Sequence, residues 1–372
     1  MVVVVVTKKY LIAAVFLIVW VEQVFAETAN KVKIIYNAVS QKGSGGYQVI
    51  DESQDQDIVV QEPMLLLQVG LDEDIFMHGM FAYDTWTSAS DKAFDDATSA
   101  SLLHRQERES FNLGVTWDKK THGLSFTLGQ SSEWDYKSNY FSVGGYHNFA
   151  QDNFSIAFNY SFYDDQTKLF DVSEDETKDF ESKKTEAMAF DMSQILTPTD
   201  LLLFGHHVIT QTGTLEGTLN TININGTRTE EILPNFKLRQ ASYVKWIHSL
   251  DEEQALHLSY RSYNDSWAIN SQTFEISYLK SLMDDEAYIE VFFRHYTQSQ
   301  YSNFETSFDS SQEFMTSDAD YEKLSSNQIG FFYNQEMEVF DYEAQFVLGV
   351  SHYERDNNLS YDTAQISFGV SF

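Results

Sequence analysis

Tyr361-Asp362-Thr363-Ala364-Gln365-Ile366-Ser367-Phe368-Gly369-Val370-Ser371-Phe372 alternates apolar and small polar residues along its length. Successive side chains of an extended chain point to opposite faces, so Ala364, Ile366, Phe368, Val370 and Phe372 share one side. Gln365, Ser367, Gly369 and Ser371 share the other. One face suits an apolar medium and the other suits water. A soluble sheet makes the same pattern, so the rest of the chain has to decide what the apolar face meets.

Fifteen further strand-like runs precede it, at about 31–40, 57–70, 73–86, 107–118, 121–131, 138–149, 152–163, 184–196, 200–212, 236–249, 253–263, 269–282, 286–297, 326–338 and 341–353. Most have the length a tilted membrane strand needs, about 9–11 residues in the bilayer plus extensions. Leu124, Phe126 and Leu128 oppose Ser125, Thr127 and Gly129; Ile289, Val291 and Phe293 oppose Glu290 and Arg294. Ala344, Phe346, Leu348 and Val350 oppose Glu343, Gln345, Gly349 and Ser351. In 236–249 neither face is cleanly apolar, since Tyr243 and Lys245 share a side. Pro63 lacks a ladder donor, which predicts a bulge or strand end within the second run.

The connections sort by parity. Even-numbered runs end in tight polar turns: Asp72-Glu73, Lys119-Lys120, Ala150-Gln151, Thr197-Pro198-Thr199, Asp251-Glu252, Asp284-Asp285 and Phe340. Odd-numbered runs end in acidic, Ser- and Asn-rich segments at 41–56, 87–106, 164–183, 213–235 and 298–325, with shorter ones at 132–137, 264–268 and 354–360. A soluble sandwich has no reason to sort its loops this way, whereas outer-membrane barrels have short periplasmic turns and long external loops. The fold expected is therefore all-β: an antiparallel transmembrane barrel of about 16 strands, within a range of 14–18. A closing strand that ends on phenylalanine resembles those barrels too, with Phe372 as the insertion signal that the assembly machinery reads.

Residues 1–26 read as a cleaved signal peptide. Lys8 and Lys9 precede an apolar stretch from Tyr10 to Val21, and Val24-Phe25-Ala26 offers a cleavage site after Ala26. That apolar stretch is shorter than the roughly 20 residues a spanning helix needs. Residues 27–372 are then a single barrel domain in the outer membrane of a Gram-negative bacterium. The mean hydropathy of −0.35 excludes a helical membrane protein but not a barrel. Aromatics reach 15%, with 21 Tyr and 29 Phe against 3 Pro, which suits strands and interface girdles. Cysteine is absent, so no disulfide framework is expected. A net charge of −32 excludes nucleic acid as a partner. The expected partners are outer-membrane lipid, lipopolysaccharide and the outer-membrane assembly machinery, with room for an unknown protein bound by the loops.

Candidate functional residues fall in three groups. The 164–183 run holds Asp164, Asp165, Asp171, Glu174, Asp175, Glu176, Asp179 and Glu181 against three lysines. It reads as a solvated charge run, or as a cation-attracting vestibule that would take Ca²⁺ or Mg²⁺. Asp84, Asp91, Glu133 and Asp135 lie in aromatic, hydroxyl-rich strand ends and are the weak metal candidates; no cofactor is otherwise called for. Arg261, Glu275, Glu290, Arg294 and Glu343 lie opposite the apolar faces. As lumen charges they tune selectivity or brace the interior, and bracing is the expectation for Arg261 and Arg294.

Asp84-Thr85-Trp86-Thr87-Ser88-Ala89-Ser90 and Ser131-Ser132-Glu133-Trp134-Asp135-Tyr136 resemble motifs of the bacterial outer-membrane family classed as domain of unknown function 3570. The second element matches in full at Ser131, Glu133, Asp135 and Tyr136. The first, carried by Asp84, Trp86, Ser88, Ala89 and Ser90, matches in layout. It departs by having Ser88 where Gly is usual and Asp91 where Pro is common. The resemblance implies an outer-membrane barrel and assigns no activity. No Gly-x-Ser-x-Gly elbow, His-Glu-x-x-His or phosphate loop is present, and the ten histidines are scattered, so an enzyme is not expected. His206-His207 cannot chelate one metal from a regular strand, because neighbours face opposite ways. The leading functional reading is a channel-like or transport-related barrel with a cation-attracting acidic rim. The alternatives are a non-conducting scaffold that binds through its external loops, and a rim-located hydrolase.

Overall fold

The computed structural model describes residues 30–43, 57–87, 105–174, 176–218, 220–283 and 286–372. The expected leader, most of the 41–56 and 87–106 loops, Asp91, Asp175 and the Asp284-Asp285 turn lie outside the described residues.

Sixteen strands close into one antiparallel barrel. In chain order they are β1 (Lys31–Lys42), β2 (Ile58–Asp72), β3 (Ile75–Thr87), β4 (Arg105–Asp118), β5 (His122–Ser132), β6 (Tyr136–Phe149) and β7 (Phe154–Thr167). Then follow β10 (Glu181–Thr197), β11 (Asp200–Gly213), β14 (Phe236–Ser249), β15 (Gln254–Asp265) and β16 (Asn270–Leu282). The wall ends with β17 (Ala287–Gln298), β18 (Leu324–Val339), β19 (Tyr342–Arg355) and β20 (Ser360–Ser371). The connections add two small hairpins, β8 (Phe170–Asp171) with β9 (Glu176–Thr177), and β12 (Thr221–Ile224) with β13 (Thr227–Glu230). β1 pairs with β20 from Lys31↔Ser371 to Lys42↔Ser360, so the wall has no free edge.

The alternation read from the sequence sets what each face meets. Leu124, Phe126 and Leu128 of β5 and Phe111, Leu113 and Val115 of β4 are exposed on the outside, as are Val291 and Phe293 of β17. Such a run of exposed apolar side chains suits hydrocarbon rather than water. The inner face carries Ser125 and Thr127 of β5, Ser142 of β6 and Asn159 and Ser161 of β7, and Ser161 and Asn159 both hydrogen-bond Ser142. Large inner rings lie against glycines of the next strand. A Cβ built on Gly205 would meet the Tyr243 ring at 2.0 Å, and one on Gly349 would meet Phe332 at 2.4 Å. Glycine there lets the rings lie along the wall instead of projecting into the lumen.

Two expectations change. Pro63 makes neither a bulge nor a strand end: β2 continues through it, paired to Tyr36 of β1. On the β3 side the pairs at Glu62 and Pro63 are lost, while Gln61↔Thr85 and Met64↔Ala82 keep one register. The missing donor removes bonds on one side only, and the closed wall holds the strand from the other. The acidic run also extends less far as a loop than 164–183, because β7 runs to Thr167 and β10 begins at Glu181. Asp165 is consequently a buried residue of the wall's inner face.

The described tight turns lie at one end of the barrel and the described long connections at the other. Val339-Phe340-Asp341-Tyr342 is a two-residue hairpin with φ of 53° and 66° at its centre, the twist-matched turn that normally favours Asn-Gly.

Candidate functional site: the lumen and its loop-closed mouth

At the long-loop end, residues 214–235 and 299–323 fold onto each other. Ile232 and Met315 exchange backbone bonds at 3.0 and 2.8 Å, and Phe308 N–H donates to Asn223 at 2.8 Å. Leu215, Leu233, Trp267, Ile269, Tyr301, Phe304 and Tyr321 form a hydrophobic core of their own, with Tyr263 of β15 packed beneath it. Ile222, Phe308 and Met315 form a second. The connection after β7 joins the assembly through Phe170 N–H to Thr218 at 2.9 Å and through the Lys178–Glu230 ion pair at 2.8 Å.

Inner-face side chains of the wall hold this structure in the mouth. Gln298 of β17 donates to the carbonyls of Asp320 and Glu322 at 2.7 Å, and Arg355 of β19 pairs with Asp320 at 2.9 Å. Lys237 of β14 is 1% exposed; it pairs with Asp265 at 3.2 Å and lies 3.8 Å over Trp267 and 4.8 Å over Tyr321. A desolvated ammonium held by a carboxylate and two ring faces pins the loops to the wall. The mouth core also contains two acids. Glu231 accepts from Thr316, from Gly217 N–H at 3.1 Å and from Asn220, which donates as well to Asp318 at 3.0 Å. Burial, followed by the charge of Asp318, pushes the Glu231 carboxyl up to about 8.

Asp84 and Glu133 come together about Arg108 of β4. Its guanidinium pairs with Asp84 and interacts electrostatically with Glu133 and Glu62. Glu62 in turn accepts from Asn37 at 2.7 Å. Among the described residues no group of three or more His, Asp or Glu is arranged to hold a metal ion. Asp135 is buried nearby in the chain, and Tyr136 begins β6. Ser131 lies on β5, paired with Ser138. Trp86 ends β3, and Ser88, Ala89, Ser90 and Asp91 lie outside the described residues. Phe372 packs its ring edge against Tyr342, centroids 6.1 Å apart.

The five lumen charges do not act alike. Arg294 pairs with Glu275 at 2.6 Å and reaches Gln328 at 3.2 Å, a brace across β16, β17 and β18. Glu290 lies opposite Leu279 on β17, and Glu343 begins β19 opposite Glu338 and Ser371. Arg261 of β15 is paired in register with Tyr243 on one side and Thr273 on the other, and it forms no ion pair among the described residues. The sequence reading treated Arg261 and Arg294 as equivalent braces; only Arg294 has an acid in register. His207 turns inward to Asp191 at 3.2 Å and His206 outward to Ser242 at 2.9 Å, so the pair faces opposite ways. The mouth residues Lys237, Glu231 and Asp318 carried no local signal in the sequence, because their partners come from other loops.

The family model described as a protein of unknown function (DUF3570) matches residues 101–367. The chain belongs to this family. The Ser131–Tyr136 motif falls within the matched span and the Asp84–Ser90 stretch ahead of it. No curated protein matches the chain. Among solved structures, a bacterial polysaccharide outer-membrane secretin superposes with a TM-score of 0.50 at 9% identity, over 94% of this chain and 99% of that one. Pseudomonas aeruginosa OccK1 (OpdK) gives 0.45 at 6% identity, over 92% and 98% of the two chains. Acinetobacter baumannii OccAB3 gives 0.44 at 8%, over 92% and 99%. The DUF3570 chain thus has the closed-barrel fold of outer-membrane proteins.

Proposed function

We propose that the protein resides in a Gram-negative outer membrane and admits small polar solutes through its lumen, past a mouth narrowed by its own loops. The observation that carries this reading is the inner wall. Ser125, Thr127, Ser142, Asn159 and Ser161 line one side, and Thr273, Ser277, Ser351 and Ser367 the other. Small hydroxyl and amide groups, with rings laid flat over glycines, support a wetted interior in a barrel of this strand number. The acidic connections at the long-loop end favour cations at the entrance.

A second reading rests on the mouth. Loops with two hydrophobic cores, fastened to the wall by Lys237, Gln298 and Arg355, suit a barrel that is plugged and binds a partner outside. Single-channel recording of the refolded protein separates the two. It is run beside a variant in which residues 303–317 are replaced by a short Gly-Ser linker. Stepwise openings in the unaltered protein support passage, with larger ones expected from the variant, whereas openings in the variant alone favour the plugged reading. Silence from both, with insertion shown by heat-dependent gel mobility, overturns the channel reading in favour of the plugged one.

A further inference from the structure

Four cations of the inner wall have a described counter-charge: Arg108 has Asp84, Arg294 has Glu275, Lys237 has Asp265 and Arg355 has Asp320. Arg261 differs. It faces the lumen from the middle of β15, immediately below Tyr263, whose ring packs on the mouth core. The groups that act on it are Tyr296, Tyr263, Arg294 and Tyr243, with no carboxylate among them.

The three surrounding hydroxyls are committed elsewhere as donors. Tyr243 donates to Asp191 at 2.8 Å, Tyr263 to Asp265 at 2.8 Å and Tyr296 to Gln298 at 2.6 Å. Arg294 beside it is already neutralised by Glu275. Thr273, directly opposite in the β15–β16 ladder, places a further hydroxyl next to the guanidinium. A half-buried cation with no counter-charge is unfavourable in the empty protein and is relieved by an anion. The donor fork of a guanidinium matches the two oxygens of a carboxylate.

We propose that Arg261, assisted by Thr273, is a lumenal subsite for the carboxylate of a small solute, at the base of the loop-closed mouth. The proposal deepens the channel reading, and its position fits a two-stage path. Acidic loops bias the entrance toward cations, and a solute that also carries a carboxylate is then held by the Arg261 guanidinium beneath them.

The test is binding, which does not depend on conduction. Carboxyl-¹³C-labelled acetate is titrated with refolded full-length protein in detergent, and its line broadening is compared with that of neutral acetamide. Arg261→Gln and Thr273→Val are measured in parallel, with Arg294→Gln as the neighbouring-cation control and strand content checked by circular dichroism. Selective broadening by wild type, weakened roughly tenfold to a hundredfold in Arg261→Gln and less in Thr273→Val, is the expected result. No selective broadening by folded wild-type protein overturns the subsite. So does broadening that survives in a folded Arg261→Gln variant. Acetate binding in a protein that is silent in bilayers would uphold the subsite and sink only the channel reading.

Discussion

Glu231 gives the mouth a dependence on pH whose direction is fixed by its surroundings. It is 5% exposed, faces Asp318 across the shared Asn220 amide, and holds its proton up to about 8 against an ordinary value of 4.5. Packed loops therefore bind a proton that opened loops release across that interval. The packing is strongest below pH 4.5, weakens as pH rises, and levels off above about 8. The slope cannot exceed about 1.4 kcal/mol per pH unit for this one carboxyl, so between pH 5 and 8 the loops lose on the order of a few kcal/mol of their resistance to opening. The nearby hydroxyls do not share the window, since burial pushes Tyr301 up to about 12 and Tyr321 higher. Hydrogen exchange of peptides covering 214–235 and 299–323, corrected for the intrinsic pH dependence of exchange, reads the opening free energy directly. Glu231→Gln, which keeps a donor and an acceptor but cannot ionise, should flatten the profile and protect the loops at pH 8. A wild-type change below about 1 kcal/mol over this range, or an unchanged slope in Glu231→Gln, would refute the reasoning.

Three other outcomes follow from the wall. Phe126→Arg puts a charge on the outer face near mid-strand and should cost about 2–4 kcal/mol of folding stability in bilayers, whereas Thr127→Arg, one residue along and facing the lumen, should fold; urea titration in vesicles compares them. Arg294→Gln leaves Glu275 without its partner and should lower stability by about 1–2 kcal/mol, with Glu275→Gln/Arg294→Gln together costing less than the sum. Replacing residues 303–317 by a short linker should raise single-channel conductance several-fold while leaving the heat-modifiable barrel intact; unchanged conductance would mean that these loops do not narrow the path.

The sixteen wall strands were legible in the sequence to within about four residues, because alternation and turn spacing are local signals. β14 is instructive. Its mixed faces read as ambiguous, and the structure explains them: Lys237, Arg239, Tyr243 and Lys245 all point inward, where the mouth loops and the lumen supply partners. Pro63 misled because a proline within a strand usually ends it, whereas in a closed wall one intact ladder suffices. Asp165 read as a loop acid because sequence alone could not tell the end of β7 from the loop beyond it.

The motif residues were found by resemblance without their chemistry. Asp84 and Glu133 are 49 positions apart in the chain, and the pairing of β3 with β4 and of β4 with β5 brings Arg108 between them. Likewise Arg261 and Arg294 look alike along their strands, and register alone gives one a carboxylate neighbour and the other threonine and tyrosine.

What the sequence determined by itself is the all-β class, a strand number of about sixteen, the sorting of short turns and long connections by parity, and which face of most strands is apolar. These follow from a period of two and from turn chemistry, and both act within a dozen residues. The tertiary structure decided which charges are paired, that the loops carry their own cores, and that those loops are fastened to the wall at the mouth. Those properties depend on contacts between segments up to about a hundred residues apart, such as Asn220 with Asp318, and no local pattern encodes such a meeting.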